Sequence, residues 1–175
     1  EAFYAFLPAR SLGLYGDYDD SGRLLDPWGQ PYRYAVPESN ANVAGGGNPD
    51  IDFVTVGGIA AEGITNAVKA DDNRPDLHVC NNSTETGNDE NCDDVTGDPV
   101  IENVAAVVVS TGKDGGQVAS NIQTENTDDF HDGKNDKVFI QATRNDSAGA
   151  QYDDVIRWLS TNVLISKMIE ADQLP

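Results

Sequence analysis

The sequence predicts an α+β domain: a truncated N-terminal helix packed on an antiparallel sheet of about four strands, with long acidic loops and a C-terminal helix. Three observations carry that expectation. Period-two alternation at Tyr32–Val36 and Val138–Ala142, and the doubly apolar run Val104–Val109, give strands. Apolar residues recur at helical spacing near both ends, as Ala2, Phe3, Phe6, Leu7 and as Leu164, Ile165, Met168, Ile169. Between them Gly, Asn and Asp are plentiful and hydrophobic content is 38%, as in a sheet joined by long loops.

In chain order, Glu1–Leu7 reads as the tail end of a longer helix that Pro8 stops, which makes residue 1 a cut point. Asp26-Pro27-Trp28-Gly29-Gln30-Pro31 is a compact turn, because each proline fixes φ and Gly29 permits a positive one. Trp28 sits in it and is expected to be mostly buried. The first strand follows at Tyr32–Val36, where Arg33 and Ala35 alternate with Tyr32, Tyr34 and Val36. Residues 37–50 are loop, and Ile51–Val56 is a second strand closed by Gly57-Gly58. Residues 71–98 are acidic, lack a periodic apolar face and read as an irregular surface excursion. Val104–Val109 is a central strand covered on both sides, 116–136 a polar loop, and Lys137–Thr143 an edge strand. Tyr152–Leu159 is extended or a short turn, after which Ser160 caps the terminal helix.

The length, 175 residues, fits one domain that can bury a core without staples. Thirty acidic against eleven basic residues give a net charge of −19, a field that repels phosphate backbones and anionic lipid. That charge disfavours nucleic-acid and membrane-surface roles, and no nucleic-acid partner is expected. No run approaches the roughly 20 apolar residues of a membrane helix, and no signal peptide is visible. Cys80 and Cys92 share the polar excursion; their spacing is neither that of a CxxC pair nor half of a zinc site, since only His78 is close and His131 is far. A disulfide between them is expected, contributing about 3 kcal/mol by loop entropy and implying an oxidising compartment.

Three separated pieces resemble one family. Asp26-Pro27-Trp28-Gly29-Gln30-Pro31-Tyr32-Arg33-Tyr34 resembles the turn and first strand of type II secretion pseudopilins and related type IV pilin-like proteins. Ser110-Thr111-Gly112-Lys113-Asp114-Gly115 resembles the family's serine–x–glycine–x–aspartate–glycine strand exit, and Asp153-Asp154-Val155-Ile156-Arg157-Trp158 its aspartate–aspartate–isoleucine–x–x–tryptophan element. The resemblance covers about half the chain; residues 71–98 match nothing in the family, and 116–151 separate pieces that are nearly adjacent in major pseudopilins.

That resemblance implies a structural filament subunit, more in keeping with a minor one, of a type IV pilus or a type II secretion pseudopilus. Its partners would be other pilin or pseudopilin subunits. It would reach the inner-membrane assembly machinery through a hydrophobic N-terminal helix that this sequence lacks. Its place would be the periplasm or a cell-surface filament of a Gram-negative bacterium. It also implies Ca²⁺ at Ser110, Asp114, Asp153 and Asp154, because the family builds a calcium site from the second and third pieces. The alternative is a secreted calcium-dependent binding or adhesion module.

The residues themselves offer a physical basis for an ion. Calcium takes six to eight hard oxygens from carboxylates, hydroxyls and carbonyls, and Asp153 and Asp154 are adjacent acids beside an apolar segment. A second, weaker candidate is Asp17, Asp19, Ser21 and Asp26: the run Asp17-x-Asp19-x-Ser21-Gly22 matches the first half of a calcium loop. Position 12 of that loop is Trp28 rather than Glu, and Asp26 would replace it in part. An aspartate-rich β-turn around Gly22 explains the same residues without a metal.

No enzyme is expected. His78 and His131 stand alone in polar segments, Ser110 has no histidine neighbour in sequence, and Gly45-Gly46-Gly47 lacks the lysine of a phosphate loop. Trp28 and Trp158 read as core or sheet-edge aromatics.

Overall fold

The computed structural model describes residues 2–37, 77–82, 92, 97–115, 121–127, 137–147 and 151–173. The strand expected at Ile51–Val56, the loop at 38–50 and His131 lie outside the described residues. Eight elements follow in order: β1 (Ala2–Phe6), β2 (Arg33–Pro37), β3 (Leu77–Cys80), β4 (Pro99–Ser110), α1 (Asn121–Glu125), β5 (Val138–Ile140), β6 (Val155–Ser160) and α2 (Thr161–Glu170). The class is α+β, but among the described residues the sheet has six strands rather than about four and is mixed rather than antiparallel.

β4 is the spine of that sheet. Val104 faces Leu77 of β3 on one edge and Ser160 of β6 on the other, while Val107 faces Ala35 of β2 and Trp158 of β6. β2 and β3 therefore share one edge of β4, each along half its length, and β6 runs along the opposite edge. β1 extends the sheet beyond β2, and β5 extends it beyond β3 as the one parallel partner. The core follows from this plan: Ala35, Leu77, Val79, Val104, Val107, Val109, Phe139 and Ile156 pack together, with Trp158 and Ile101 against them. Burying each large aliphatic or aromatic side chain is worth about 1.5–3 kcal/mol.

Residues 2–6 are strand, not the helix their apolar spacing predicted. Ala2 to Phe6 pair with Pro37 to Arg33 in antiparallel register. An isolated helix this short is marginal in water, whereas β2 supplies a hydrogen-bonding partner along the whole segment. Phe6 stays partly exposed and carries the Arg23 and Arg33 guanidiniums over its ring, at 4.5 and 5.9 Å from the centroid.

Residues 71–98 likewise contain more order than their composition suggested. Leu77, Val79 and Cys80 are fully buried in β3. Cys80 is disulfide-bonded to Cys92, and the pair packs with Val138 and Ile140 in a second apolar cluster. β5 closes one end of the sheet, yet Val138, Phe139 and Ile140 are all buried, so it does not show the half-exposed alternation of an ordinary edge. The polar stretch 116–136 holds α1.

At the C-terminus Ser160 caps α2, its hydroxyl accepting from Val163 N at 3.4 Å. β4 kinks at Asn103, which takes φ +57, and the Asn103 carbonyl accepts from Thr161 Oγ1 at 2.7 Å, tying the first turn of α2 to the kink. Ile165 is buried and Leu164 and Met168 half-buried, while Ile169, expected on the same face, is exposed. No described helix is long and apolar enough to cross a membrane.

Candidate metal centre

The β4–β6 ladder ends at Ser110 opposite Val155. The residues just beyond it, Thr111–Gly115 on one strand and Asp154–Asp153 on the other, are thereby brought side by side although about 40 positions separate them. Gly112 takes φ +65, and a Cβ there would stand 2.5 Å from Asp153 Cγ and 2.6 Å from its carbonyl oxygen. Only glycine lets the two backbones approach this closely. Lys113 N then donates to Asp153 Oδ2 at 2.7 Å.

The result is a convergence of carboxylates: Asp114, Asp153 and Asp154 each place one oxygen within 4.8 Å of the others. At an effective dielectric of about 20, two unit charges at that separation repel by about 3 kcal/mol. Amides offset part of this. Gln123 Nε2, from α1, donates to Asp114 Oδ2 at 2.9 Å and to Asp153 Oδ1 at 3.0 Å. Asn126 Nδ2 donates to Asp154 Oδ2 at 2.8 Å and to Ile140 O at 3.0 Å, and Asn126 Oδ1 accepts from Ile140 N at 2.7 Å. Tyr152 OH also reaches Ile140 O, at 2.5 Å. Gln123 and Asn126 are buried.

Asp154 is the most exacting member. It is 7% exposed, and its Oδ1 is buried without a hydrogen-bond partner among the described residues. Burial pushes its carboxyl up to about 7, and the negative charges of Asp153 and Asp114 add to that, while the Asn126 hydrogen bond and the nearby Gln123 amide pull the other way. Burial also lowers the Arg33 pKa, against an attraction to Asp154. Three carboxylates and neutral amides, with no thiolate or imidazole among them, form a hard-oxygen set of the kind that suits Mg²⁺, Ca²⁺ or Mn²⁺. The cluster can hold a metal ion.

Of the four residues expected in this site, Asp114, Asp153 and Asp154 come together and Ser110 turns away. Its hydroxyl, 3% exposed, donates to Asp26 Oδ2 at 2.5 Å. Asp26 Oδ1 meanwhile accepts from Trp28 N at 2.9 Å and Gln30 N at 2.8 Å, so this buried carboxylate is the internal anchor of its turn. Trp28, expected to be buried there, is 41% exposed. Both prolines and Gly29 bend the backbone around the acid, and the indole is left on the outside.

The second candidate set does not converge on one point. Asp19 Oδ1 accepts from Ser21 N and Arg23 N, its Oδ2 pairs with Arg23 Nε at 2.5 Å, and Gly22 N donates to Asp19 O at 2.9 Å. These bonds, led by that to the Arg23 backbone, hold the Asp19 carboxyl below its ordinary value. Asp17 contributes its carbonyl to Leu25 N, and Asp26 is the anchor just described. This is the geometry of an aspartate-capped β-turn. His78, on β3, lies beside Glu102, with Nδ1 and Oε1 3.9 Å apart.

Gln123 and Asn126 escaped the sequence reading. They stand in a polar run interrupted only by Ile122, Asn121-Ile122-Gln123-Thr124-Glu125-Asn126-Thr127, and no local pattern marks which polar side chains a distant strand will bury. Comparison with family models, with curated proteins and with solved structures returns no match for this chain.

Proposed function

We propose that this chain is the globular head of a pilin-like filament subunit, a minor subunit of a type IV pilus or type II secretion pseudopilus. A calcium ion at Asp114, Asp153 and Asp154 would brace the head. The observation that carries this reading is the meeting of the three family-like pieces at one junction. Ser110 of the second piece bonds Asp26 of the first, 84 positions away, and Lys113 bonds Asp153 of the third, 40 positions away. A Cβ on Gly115 of the second piece would stand 2.8 Å from the Gln30 amide of the first.

Calcium fits the cluster better than magnesium. Asp114 sits on a strand exit and Asp153 and Asp154 on a strand entry, an irregular arrangement that suits variable coordination at about 2.3–2.6 Å. Magnesium demands a near-ideal octahedron and sheds water reluctantly. The role is structural: an ion here joins the exit of β4 to the entry of β6 and, through Gln123 and Asn126, to α1 and β5. Partners would be neighbouring subunits of the filament and the inner-membrane machinery that assembles them.

Two measurements test the proposal. A ligand that binds only the folded state adds about 2.7 kcal/mol at 100 times its Kd, or roughly 5–10 °C for a chain of this size. Calcium should raise the melting temperature of chelated protein by that amount, and magnesium by much less. A melt indifferent to both chelator and millimolar calcium removes the ion. Antibody to this domain should label sheared surface filaments or the inner membrane of the source cells. Label confined to the culture medium removes the filament role and leaves the secreted calcium-binding module.

A further inference from the structure

We infer that Gln123 is an oxygen ligand of this cation site, turning its amide end for end when the ion enters; the inference rests on the calcium reading above. Two amides reach the carboxylates from the α1 segment, and they are held differently. Asn126 is fixed by the backbone of Ile140, which takes a hydrogen bond from its Nδ2 and gives one to its Oδ1. Either atom in the other's place would face a like group, so Asn126 cannot turn. The Nε2 direction of Gln123 is favoured by what it faces, Asp114 Oδ2 and Asp153 Oδ1, two acceptor-only groups.

A divalent cation among the three carboxylates reverses that preference. Hydrogens that stabilise converging negative charge repel the ion that neutralises it. The amide oxygen, a hard neutral donor of the kind calcium sites use, becomes the favoured end. Rotation about the last torsion exchanges oxygen and nitrogen at nearly the same positions, and that sp³–sp² torsion is broad and roughly two-fold. The side chain is fully buried, so it has no solvent into which to withdraw. Asp154 Oδ1 is buried in the same cluster without a hydrogen-bond partner among the described residues, an acceptor open to a positive group there. Gln123 would thus serve as donor to the acids before binding and as ligand after it.

Replacement by glutamate separates the two roles by sign. As a ligand, Gln123→Glu presents a permanent oxygen and a further charge, and affinity in such sites rises with ligand charge. Calcium Kd by titration calorimetry on chelated protein should tighten about tenfold. Gln123→Leu, which offers neither donor nor ligand, should weaken it by about 10- to 100-fold, the scale of lost supporting groups at metal sites. If Gln123 acts only as a donor that positions the acids, glutamate removes the donor and adds repulsion, and both variants weaken binding. That result, or equal Kd values in all three proteins, overturns the inference and leaves the calcium reading standing. If the wild type binds no calcium, both fall. Should the leucine variant not fold, the glutamate arm still decides. A second readout is the Gln123 side-chain NH₂ signal in ¹⁵N-labelled wild-type protein. Its proton shifts should move toward those of an amide that no longer donates to carboxylates when calcium saturates; unchanged shifts overturn the flip.

Discussion

Replacing Asp26 by alanine should cost more stability than removing the neighbouring tryptophan, the reverse of what residue size suggests. Asp26 and Ser110 are buried, at 5% and 3% exposure, and the 2.5 Å bond between them joins a hydroxyl to a carboxylate. Losing such a charge-assisted bond costs about 1.5–3 kcal/mol. Trp28 N and Gln30 N also lose their acceptor; at the edge of the turn water can replace it, so each adds about 0.5–1 kcal/mol. Asp26→Ala should therefore cost about 3–5 kcal/mol. Asp26→Asn keeps an oxygen for both amides and lets the Ser110 hydroxyl accept instead of donate, at about 1 kcal/mol.

Trp28→Ala removes a ring that is 41% exposed. It should cost about 1–2 kcal/mol rather than the 3–5 typical of buried large aromatics. Urea unfolding of the three variants gives the ranking, read as shifts of the midpoint at unchanged slope. A double-mutant cycle with Ser110→Ala isolates the 84-residue contact, which should appear as about 1.5–3 kcal/mol of coupling. A tryptophan variant weaker than Asp26→Ala, or a cycle near zero, would refute the view that the acid organises this turn.

Two further predictions concern the cluster. The Asp154 carboxyl titrates near 7 when folded and near 3.8 when not, so the native state holds the extra proton between those values. In chelator its contribution should make stability fall as pH rises from about 4 to 7, by about 1.4 kcal/mol for each unit of displacement and on the order of 4 in all; melts of Asp154→Asn across that range should lack this slope, and saturating calcium should flatten it in the wild type. Gly112→Ala combines a left-handed φ with a clash against the Asp153 backbone and should cost about 2–4 kcal/mol and abolish the calcium response, whereas Gly29→Ala, at φ +84 with nothing within 4 Å of the added carbon, should cost only about 1 kcal/mol; equal losses in the two would show that the close approach of β4 and β6 is not what Gly112 serves.

How far the fold could be read from sequence depended on whether a segment's pattern was long enough to exclude alternatives. Val104–Val109 is apolar on both faces, so a central strand was the only economical reading, and β4 is that strand. Ser160 followed by a helical stripe gave α2 and its cap. Five residues at the N-terminus could not distinguish a 3.6-residue period from pairing with a strand 30 positions away. Leu77-His78-Val79-Cys80 is four residues in an acidic stretch, and the surrounding composition masked it. In both cases the deciding term was a partner strand, which no local window contains. Trp28 shows a different limit: ring size predicted burial, but the two prolines and Gly29 bend the backbone around the acid, and the bend determines which side chain faces inward.

The candidate site was legible to the extent that backbone geometry forces residue type. Ser110, Gly112 and Gly115 each meet a different requirement of the junction: a hydroxyl for the buried Asp26, room for Asp153, and room for Gln30. These requirements are visible only in the structure; in the sequence, it was the resemblance to the pseudopilin pieces that placed Asp153 beside them despite the intervening residues. Gln123 and Asn126 satisfy side-chain requirements instead, and several polar residues could be imagined at either position. Segment 116–151 looked like an interruption of the junction. Its described portion packs back onto it, with Asn126 completing the hydrogen bonding of Ile140 and both amides reaching the acids. A longer connection need not loosen a site when its own polar groups are buried against that site. If an ion binds there, the stability of α1 and the cation response should be one property, because Asp114, Asp153 and Asp154 accept hydrogen bonds from Gln123 and Asn126.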